Sequence, residues 1–340
     1  MKLSFLLTTI AMAAGCHGMA WAAANDGGAV PAEGAVKLER GPAVRSPSAV
    51  RASILGAARA GERIVAVGDH GVVLLSDDGG KTFRQATHVP TRAVLTAVSF
   101  ADAHNGWAVG HHGVMLYTAD GGERWTLQRS DTSTDQPLFT VLFLDRQHGM
   151  AAGLWSLLLE TDDGGRTWNK RELPAPPGGK AADRNLFRIF AAPGGKLFIA
   201  AEQGLVLRSL DRGKTWIYQQ TGYKGSFWTG AAERDGSVVV GGMRGTVYRS
   251  RDGGDSWSKV PSGTASSLTD LVAVEGGVAG VGLEGASIRS GPDGASFEAA
   301  TRPDRLDLTA AVAAPDGKLV LFSNQGPVPP EPDEPMKNGA

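Results

Sequence analysis

Three histidines, one arginine-bearing strand and a scatter of carboxylates are the residues of this 340-residue chain whose types and spacing invite chemistry. His70 and His112 lie 42 positions apart, with His111 beside the second. Imidazoles so grouped are metal ligands when a carboxylate or thiolate completes the set. No such residue stands in register with them, so solvent-facing histidines and no bound metal are expected. Arg188, within Phe187-Arg188-Ile189-Phe190, offers a planar fork suited to a carboxylate. Asp69, Glu202 and Glu284 are the carboxylates that acid/base cleavage of a glycosidic bond would draw on. Nothing in their spacing singles out a facing pair. Of the four tyrosines, Tyr117 and Tyr248 precede the same repeated phrase and Tyr218 follows Trp216; Tyr223 alone reads as a loop residue, and no glutamate is its evident partner.

The elements that must position these residues are written in repeats. Ser76-Asp77-Asp78-Gly79-Gly80-Lys81-Thr82-Phe83 returns with first residues at 118, 161, 209, 250 and 290, steps of 42, 43, 48, 41 and 40. A period of about 40 residues is the signature of a repeat architecture. The pattern Ser/Thr-x-Asp-x-Gly-x-Thr/Ser-aromatic resembles the Asp-box, or bacterial neuraminidase repeat. Its aspartates, Asp78, Asp120, Asp163, Asp211 and Asp252, are read as structural, each accepting the N–H groups of its own turn. The closing aromatics, Phe83, Trp125, Trp168, Trp216, Trp257 and Phe297, are read as packing residues between neighbouring sheets.

A second phrase precedes each box. Val67-Gly68-Asp69-His70-Gly71-Val72-Val73 reads as strand, two-residue turn, strand, and it recurs ahead of every later copy. With one apolar strand before it, such as 95–100, and one after the box, each repeat supplies four short antiparallel strands, which is one propeller blade. A shortened seventh copy spans 308–326 and ends in Ser323-Asn324-Gln325-Gly326, with no box behind it. The expected fold is an all-β, seven-bladed β-propeller, its last blade closed by the N-terminal segment around 35–38, which removes an open edge.

In a four-stranded blade, the turn between strands two and three shares a face with the links between blades, and the boxes occupy the opposite face. The turn dipeptides vary: Asp69-His70, His111-His112, Leu154-Trp155, Glu202-Gln203, Met243-Arg244, Leu283-Glu284 and Asn324-Gln325. Variable turns on a repeated scaffold mark a partner-binding face. The candidate surface therefore takes in Asp69, His70, His111, His112, Trp155 and Glu202. Basic residues on the inter-blade links and turns, Arg92, Arg129, Arg184, Arg188, Lys224 and Arg244, complete it as a patch for an acidic partner segment.

Gly68-Asp69-His70-Gly71 with the box at 76–83, and His104-Asn105-Gly106-Trp107-Ala108-Val109-Gly110 with the box at 118–125, give the chain its resemblance to the photosystem II assembly and stability factor family of propellers over about residues 50–326. That resemblance implies a non-catalytic scaffold, lumenal or periplasmic, holding a membrane protein during assembly through an arginine-bearing surface. It allows a photosystem partner or, in non-photosynthetic bacteria, an exporter of the resistance-nodulation-division type. Phe187-Arg188-Ile189-Phe190 is also similar to the Phe-Arg-Ile-Pro motif of sialidases, which makes a glycoside hydrolase or glycan-binding propeller the alternative. Phe190 replaces the proline, however, and the motif follows the third box rather than preceding the first. Departures from the propeller pattern are Pro292 at the aspartate position of the sixth box, Ser156 in place of the second turn glycine of blade three, and the absent seventh box.

The balance of 34 basic against 35 acidic residues gives no footprint for nucleic acid. The 47 glycines follow from the repeated turns. Residues 1–24, with Lys2, an apolar core and alanine-rich cleavage sites, read as a signal peptide. Residues 25–50 read as linker and closing strand, 51–326 as the propeller, and 327–340 as a disordered Pro-rich tail. Export to a periplasm is expected, with Cys16 in a weak lipobox as the basis of a lipoprotein reading. Neither cofactor nor catalytic residue is assigned, and a monomeric propeller with an integral membrane protein or complex as partner is expected.

Overall fold

The computed structural model describes residues 41–134, 136–291 and 294–329. The expected signal peptide, the closing strand at 35–38 and nearly all of the C-terminal tail lie outside them. The described residues form a seven-bladed β-propeller. Blades one to six are four-stranded antiparallel sheets in simple sequential order. Their innermost strands are Ile54–Ala60, Leu95–Phe100, Leu138–Phe143, Leu186–Ala192, Phe227–Ala232 and Leu268–Val274. Blade seven has the inner strand Leu308–Ala313, then Leu319–Ser323 and the two-residue strand Gly326–Pro327. No helix among the described residues is long and apolar enough to cross a membrane.

Second strands such as Arg63–Gly68 and Gly106–Gly110 are buried along nearly their whole length. A blade inside the ring is covered on both faces, so its middle strands read as continuous apolar runs rather than alternating ones. The core is accordingly a set of clusters lying between consecutive blades. One joins Val65, Val67 and Leu75 of blade one to Val98, Leu116 and Trp125 of blade two. Another joins Ile54, Ile64 and Leu74 of blade one to Ala310, Val320 and Phe322 of blade seven, and it closes the ring. Phe83 meets Phe322 edge-on there, with ring centroids 5.6 Å apart.

The aspartate turns are built alike. In blade one the Ser76 hydroxyl donates to Asp78 (2.7 Å) and accepts the Gly80 N–H (2.8 Å). Asp78 also accepts the Thr82 N–H (2.9 Å) and hydroxyl (2.5 Å). The same four bonds recur around Asp163, Asp211 and Asp252. Blade two departs, because Arg124 stands where the others carry a hydroxyl and only its N–H reaches Asp120 (3.0 Å). Gly80, at φ +91°, is where the turn touches the next sheet: a Cβ there would sit 2.5 Å from a Val320 methyl of blade seven.

Residues 42–46 approach the propeller along the outer edge of blade one. The Gln85 amide donates to Val44 O (2.9 Å) and accepts the Ser46 N–H (3.0 Å), and Ala43 N–H reaches Val89 O (2.9 Å). The chain then turns through Pro47–Arg51, which packs on the last strand of blade seven, before entering the inner strand of blade one. Among the described residues, the N-terminal segment thus meets blade seven through this turn.

Two outcomes are expected. Replacing the fully buried Trp125 by alanine should cost about 3–5 kcal/mol in urea denaturation, while Trp155→Ala, at 57% exposure, should change stability by less than about 0.5 kcal/mol. Hydrogen bonds from Thr167 and Thr215 hold Asp163 and Asp211 down to about 2, and those from Thr82 and Ser256 hold Asp78 and Asp252 below the usual range. A depressed native value stabilises the fold above the unfolded carboxylate value of about 4 and is lost as pH falls through the native one. Thermal stability should therefore change little above about pH 5 from this source and fall between about pH 4 and 2, a drop that the Asp78→Asn/Asp252→Asn double variant makes shallower.

Candidate functional site

In six blades the turn between strands two and three is one 3-10 turn with a single conformation: Asp69–Gly71, His111–Gly113, Leu154–Ser156, Glu202–Gly204, Met243–Gly245 and Leu283–Gly285. Its second residue takes a left-handed φ of 53–58° in every case, at His70, His112, Trp155, Gln203, Arg244 and Glu284. That conformation tilts the side chain away from the sheet, and His70, Trp155, Gln203, Arg244 and Glu284 are exposed. The third residue is a glycine because the following inter-blade link crosses directly over it. A Cβ on Gly204, at φ +68°, would lie 2.1 Å from Tyr223 O. Blade three breaks the rule with Ser156 at φ 56°. There the link is held by the serine itself: its hydroxyl accepts the Arg184 N–H (2.9 Å) and donates to Arg184 O (3.1 Å). Trp155 N–H is capped by the Asn185 side chain (3.0 Å).

Several sequence candidates lie on this face but are committed to its architecture. Glu202 accepts the Asn185 N–H (3.1 Å) and side-chain amide (2.8 Å). Arg129 donates to Gly113 O (3.0 Å) and to Asp131 (3.1 Å). Arg184, its side chain 17% exposed, pairs with Asp183. Arg92 donates to Pro42 O (3.0 Å). Burial pushes the Asp69 carboxyl up, opposed by His70 and His111. His111 and His112 stand edge-on to each other, 6.4 Å between ring centroids. Among the described residues no group of three His, Cys, Asp or Glu is placed to hold a metal ion. Lys224 and Arg244 are exposed and carry no ion pair among the described residues.

Arg188 lies in the wall of the channel, on the inner strand of blade four. Every inner strand carries a bulge near its start, and the residue after it occupies one register position around the ring: Gly56, Ala97, Thr140, Arg188, Thr229, Asp270 and Ala310. Thr140, Thr229 and Asp270, at this position, reach the next blade. Thr140 accepts Ile189 N–H (3.0 Å), Thr229 accepts Leu271 N–H (2.9 Å), and Asp270 accepts Ala311 N–H (3.1 Å). Arg188 meets Asp270 at 3.5 Å, reaching past the inner strand of blade five. The arginine that invited comparison with a sugar-acid site is thus engaged by a carboxylate of the same chain. The periodicity of the repeats held the signal for this: blades four and six place Arg188 and Asp270 in the same column.

The carboxylates considered for hydrolysis, Asp69, Glu202 and Glu284, belong to blades one, four and six and form no facing pair. Two surface hollows lie on the opposite face. One, about 370 Å³, is lined by Arg59, Phe100 and Asp102; the other, about 330 Å³, by His148, Glu160, Asp162 and Arg212. In the second, Glu160 is engaged by Arg171, and His148 lies 2.9 Å from Asp145.

Residues 128–278 match the family model described as Photosynthesis system II assembly factor YCF48. No curated protein gives a sequence match. Among solved structures, one described as YCF48 bound to D1 peptide aligns with a TM-score of 0.67 at 17% identity, covering 83% of this chain and 93% of the other. YCF48 from Cyanidioschyzon merolae aligns with a TM-score of 0.65 at 15% identity, covering 84% and 96%. The WD40 repeats of RRP9 align with a TM-score of 0.63 at only 10% identity, covering 85% and 92%, which marks how widely the seven-bladed frame is shared.

Asp270 is the hub of the channel wall, so its loss should outweigh that of its partner. Asp270→Ala strips three inter-strand contacts and leaves a partly buried guanidinium, an expected cost of about 2–4 kcal/mol. Arg188→Ala leaves the buried Asp270 carboxylate without this counter-charge but keeps its hydrogen bonds, and should cost less, about 1–2 kcal/mol. Urea denaturation of the two variants measures the order.

Proposed function

We propose that this chain is a photosystem II assembly factor-like β-propeller and acts as a non-catalytic, exported scaffold that binds a segment of a membrane protein and assists the assembly or activity of the complex containing it. The observation that carries this reading is the turn face. Six turns of one conformation project different side chains around a channel, on a frame whose YCF48 neighbour is described with a peptide bound. A scaffold needs a rigid frame and varied projecting groups, and no convergent acid, base or nucleophile. The committed states of Arg188, Glu202 and Glu160 favour it over glycoside hydrolysis.

The finer reading follows the same chemistry. The leader expected at 1–24 would deliver the propeller to the periplasm, where the exposed face of a photosystem-like complex or of an exporter is within reach. There a monomeric propeller would present Lys224 and Arg244 to an acidic segment, with attraction that weakens as salt rises.

In-cell crosslinking of the C-terminally tagged chain, purification from membranes and mass spectrometry test this. The expected result is recovery of one integral membrane complex, reduced when Lys224 and Arg244 are both changed to glutamate. Recovery of soluble proteins alone, with turnover of a fluorogenic glycoside, would overturn the scaffold reading.

A further inference from the structure

The seven inner-strand bulges hold a second column of residues, one position before the column of Arg188: Leu55, Thr96, Phe139, Phe187, Trp228, Thr269 and Thr309. Where this residue is threonine, its hydroxyl stitches neighbouring blades. Thr96 donates to Leu138 O (2.6 Å), Thr269 to Leu308 O (2.8 Å) and Thr309 to Ile54 O (2.5 Å). Blade one, with Leu55, and the three consecutive blades three, four and five lack this bond. Blades three, four and five carry Phe139, Phe187 and Trp228 instead, all partly exposed rather than buried in the core. Phe139 and Phe187 stack, with ring centroids 5.7 Å apart and planes 16° from parallel. Because the bulge lies at the start of the inner strand, the three rings stand at the channel mouth on the turn face. The turn carrying Trp155 packs on the inner strand that bears Phe187.

The same arc of the ring also carries positive charge with no ion pair among the described residues. Lys224 lies in the link from blade four to blade five, four residues before Trp228, and Arg244 is at the tip of the blade-five turn. Tyr223 ties the two together through Met243 O (3.4 Å). On the neighbouring link and turn, Asp183 is held by Arg184 and Glu202 by Asn185. A repeat position that has surrendered an inter-blade hydrogen bond in three consecutive blades, beside unpaired cations, is a site shaped by something other than the fold.

The geometry points to a peptide-binding groove running across blades three to five, in which Phe139, Phe187, Trp228 and Trp155 receive apolar side chains of an extended partner segment and Lys224 and Arg244 receive its carboxylates. Aromatic rings supply large contact area at small entropic cost, and the cations set orientation and salt dependence. This rests on the scaffold reading only in taking the ligand to be protein.

The test uses the full chain and a fluorescein-labelled peptide of alternating leucine and aspartate, followed by anisotropy and tryptophan fluorescence. Saturable binding is expected, weakened about tenfold when leucines become serine or aspartates become asparagine. Phe139→Thr and Trp228→Thr should each weaken it by about tenfold while Tm holds or rises, since the new hydroxyl restores the stitch between blades. Arg244→Glu should weaken it and flatten its salt dependence. If a threonine variant loses Tm, Trp155→Ser, an exposed change, carries the comparison. Absence of saturable binding, or binding that these changes leave intact, overturns the groove. Membrane capture that survives in the aromatic variants would overturn the groove and leave the scaffold reading standing, whereas no capture by the unaltered chain would overturn the scaffold reading itself.

Discussion

The contact between blade seven and blade one is the interaction on which the rest of the structure depends. A four-stranded sheet with two apolar faces has no stable state alone, and each blade is covered only by its two neighbours. Six of the seven interfaces join consecutive stretches of chain, but the seventh must join residues near 54 to residues near 310. Ile54, Ile64 and Leu74 against Val320 and Phe322 supply the apolar area, and Thr309 supplies the hydrogen bond to Ile54 O. With that seam made, every sheet face is buried and the channel has a complete wall.

The polar bonds that finish the ring follow two strategies. On one face, Asp78, Asp163, Asp211 and Asp252 are each saturated by groups of their own turn, so a charged residue is spent on local geometry and needs no partner elsewhere. Near the other face, hydroxyls and one carboxylate in the inner strands cross to the next blade. The two faces therefore differ in what they can tolerate. The aspartate turns are defined by a repeated hydrogen-bond set, while the opposite turns need only a left-handed residue followed by one the link can cross, leaving the side chain free to vary.

This difference explains what was legible in the sequence. The seven blades and the turns around Asp78, Asp163, Asp211 and Asp252 could be read because local chemistry repeated in register. The varied tips at His70, Trp155 and Arg244 could be found as positions because the scaffold phrase framed them. Their partners could not. The Arg188–Asp270 pair, the capture of Glu202 by Asn185 and the use of Ser156 to hold the following link all join residues brought close by the curvature of the ring. The bulge column was hidden for another reason: Thr96, Phe139 and Trp228 share a backbone position that only the observed strand register reveals, although the alternation of threonine and aromatic residues stood in the sequence.

The seam between blades one and seven also sets a schedule for the chain. Thr309 and Ile54 are 255 positions apart, so blade one leaves the ribosome long before anything exists to cover its second face. Blades one to six can add in order, each new sheet finding its neighbour ready, but the first blade keeps Ile54, Ile64 and Leu74 uncovered until Phe322 has been made. Closing so long a loop is entropically slow, and it is the step at which contacts of high sequence separation form all at once. A chain with blades one to six formed and blade seven missing would carry two uncovered apolar ends, Ile54, Ile64 and Leu74 on the first blade and Val281 on the sixth, and blade seven covers both at once.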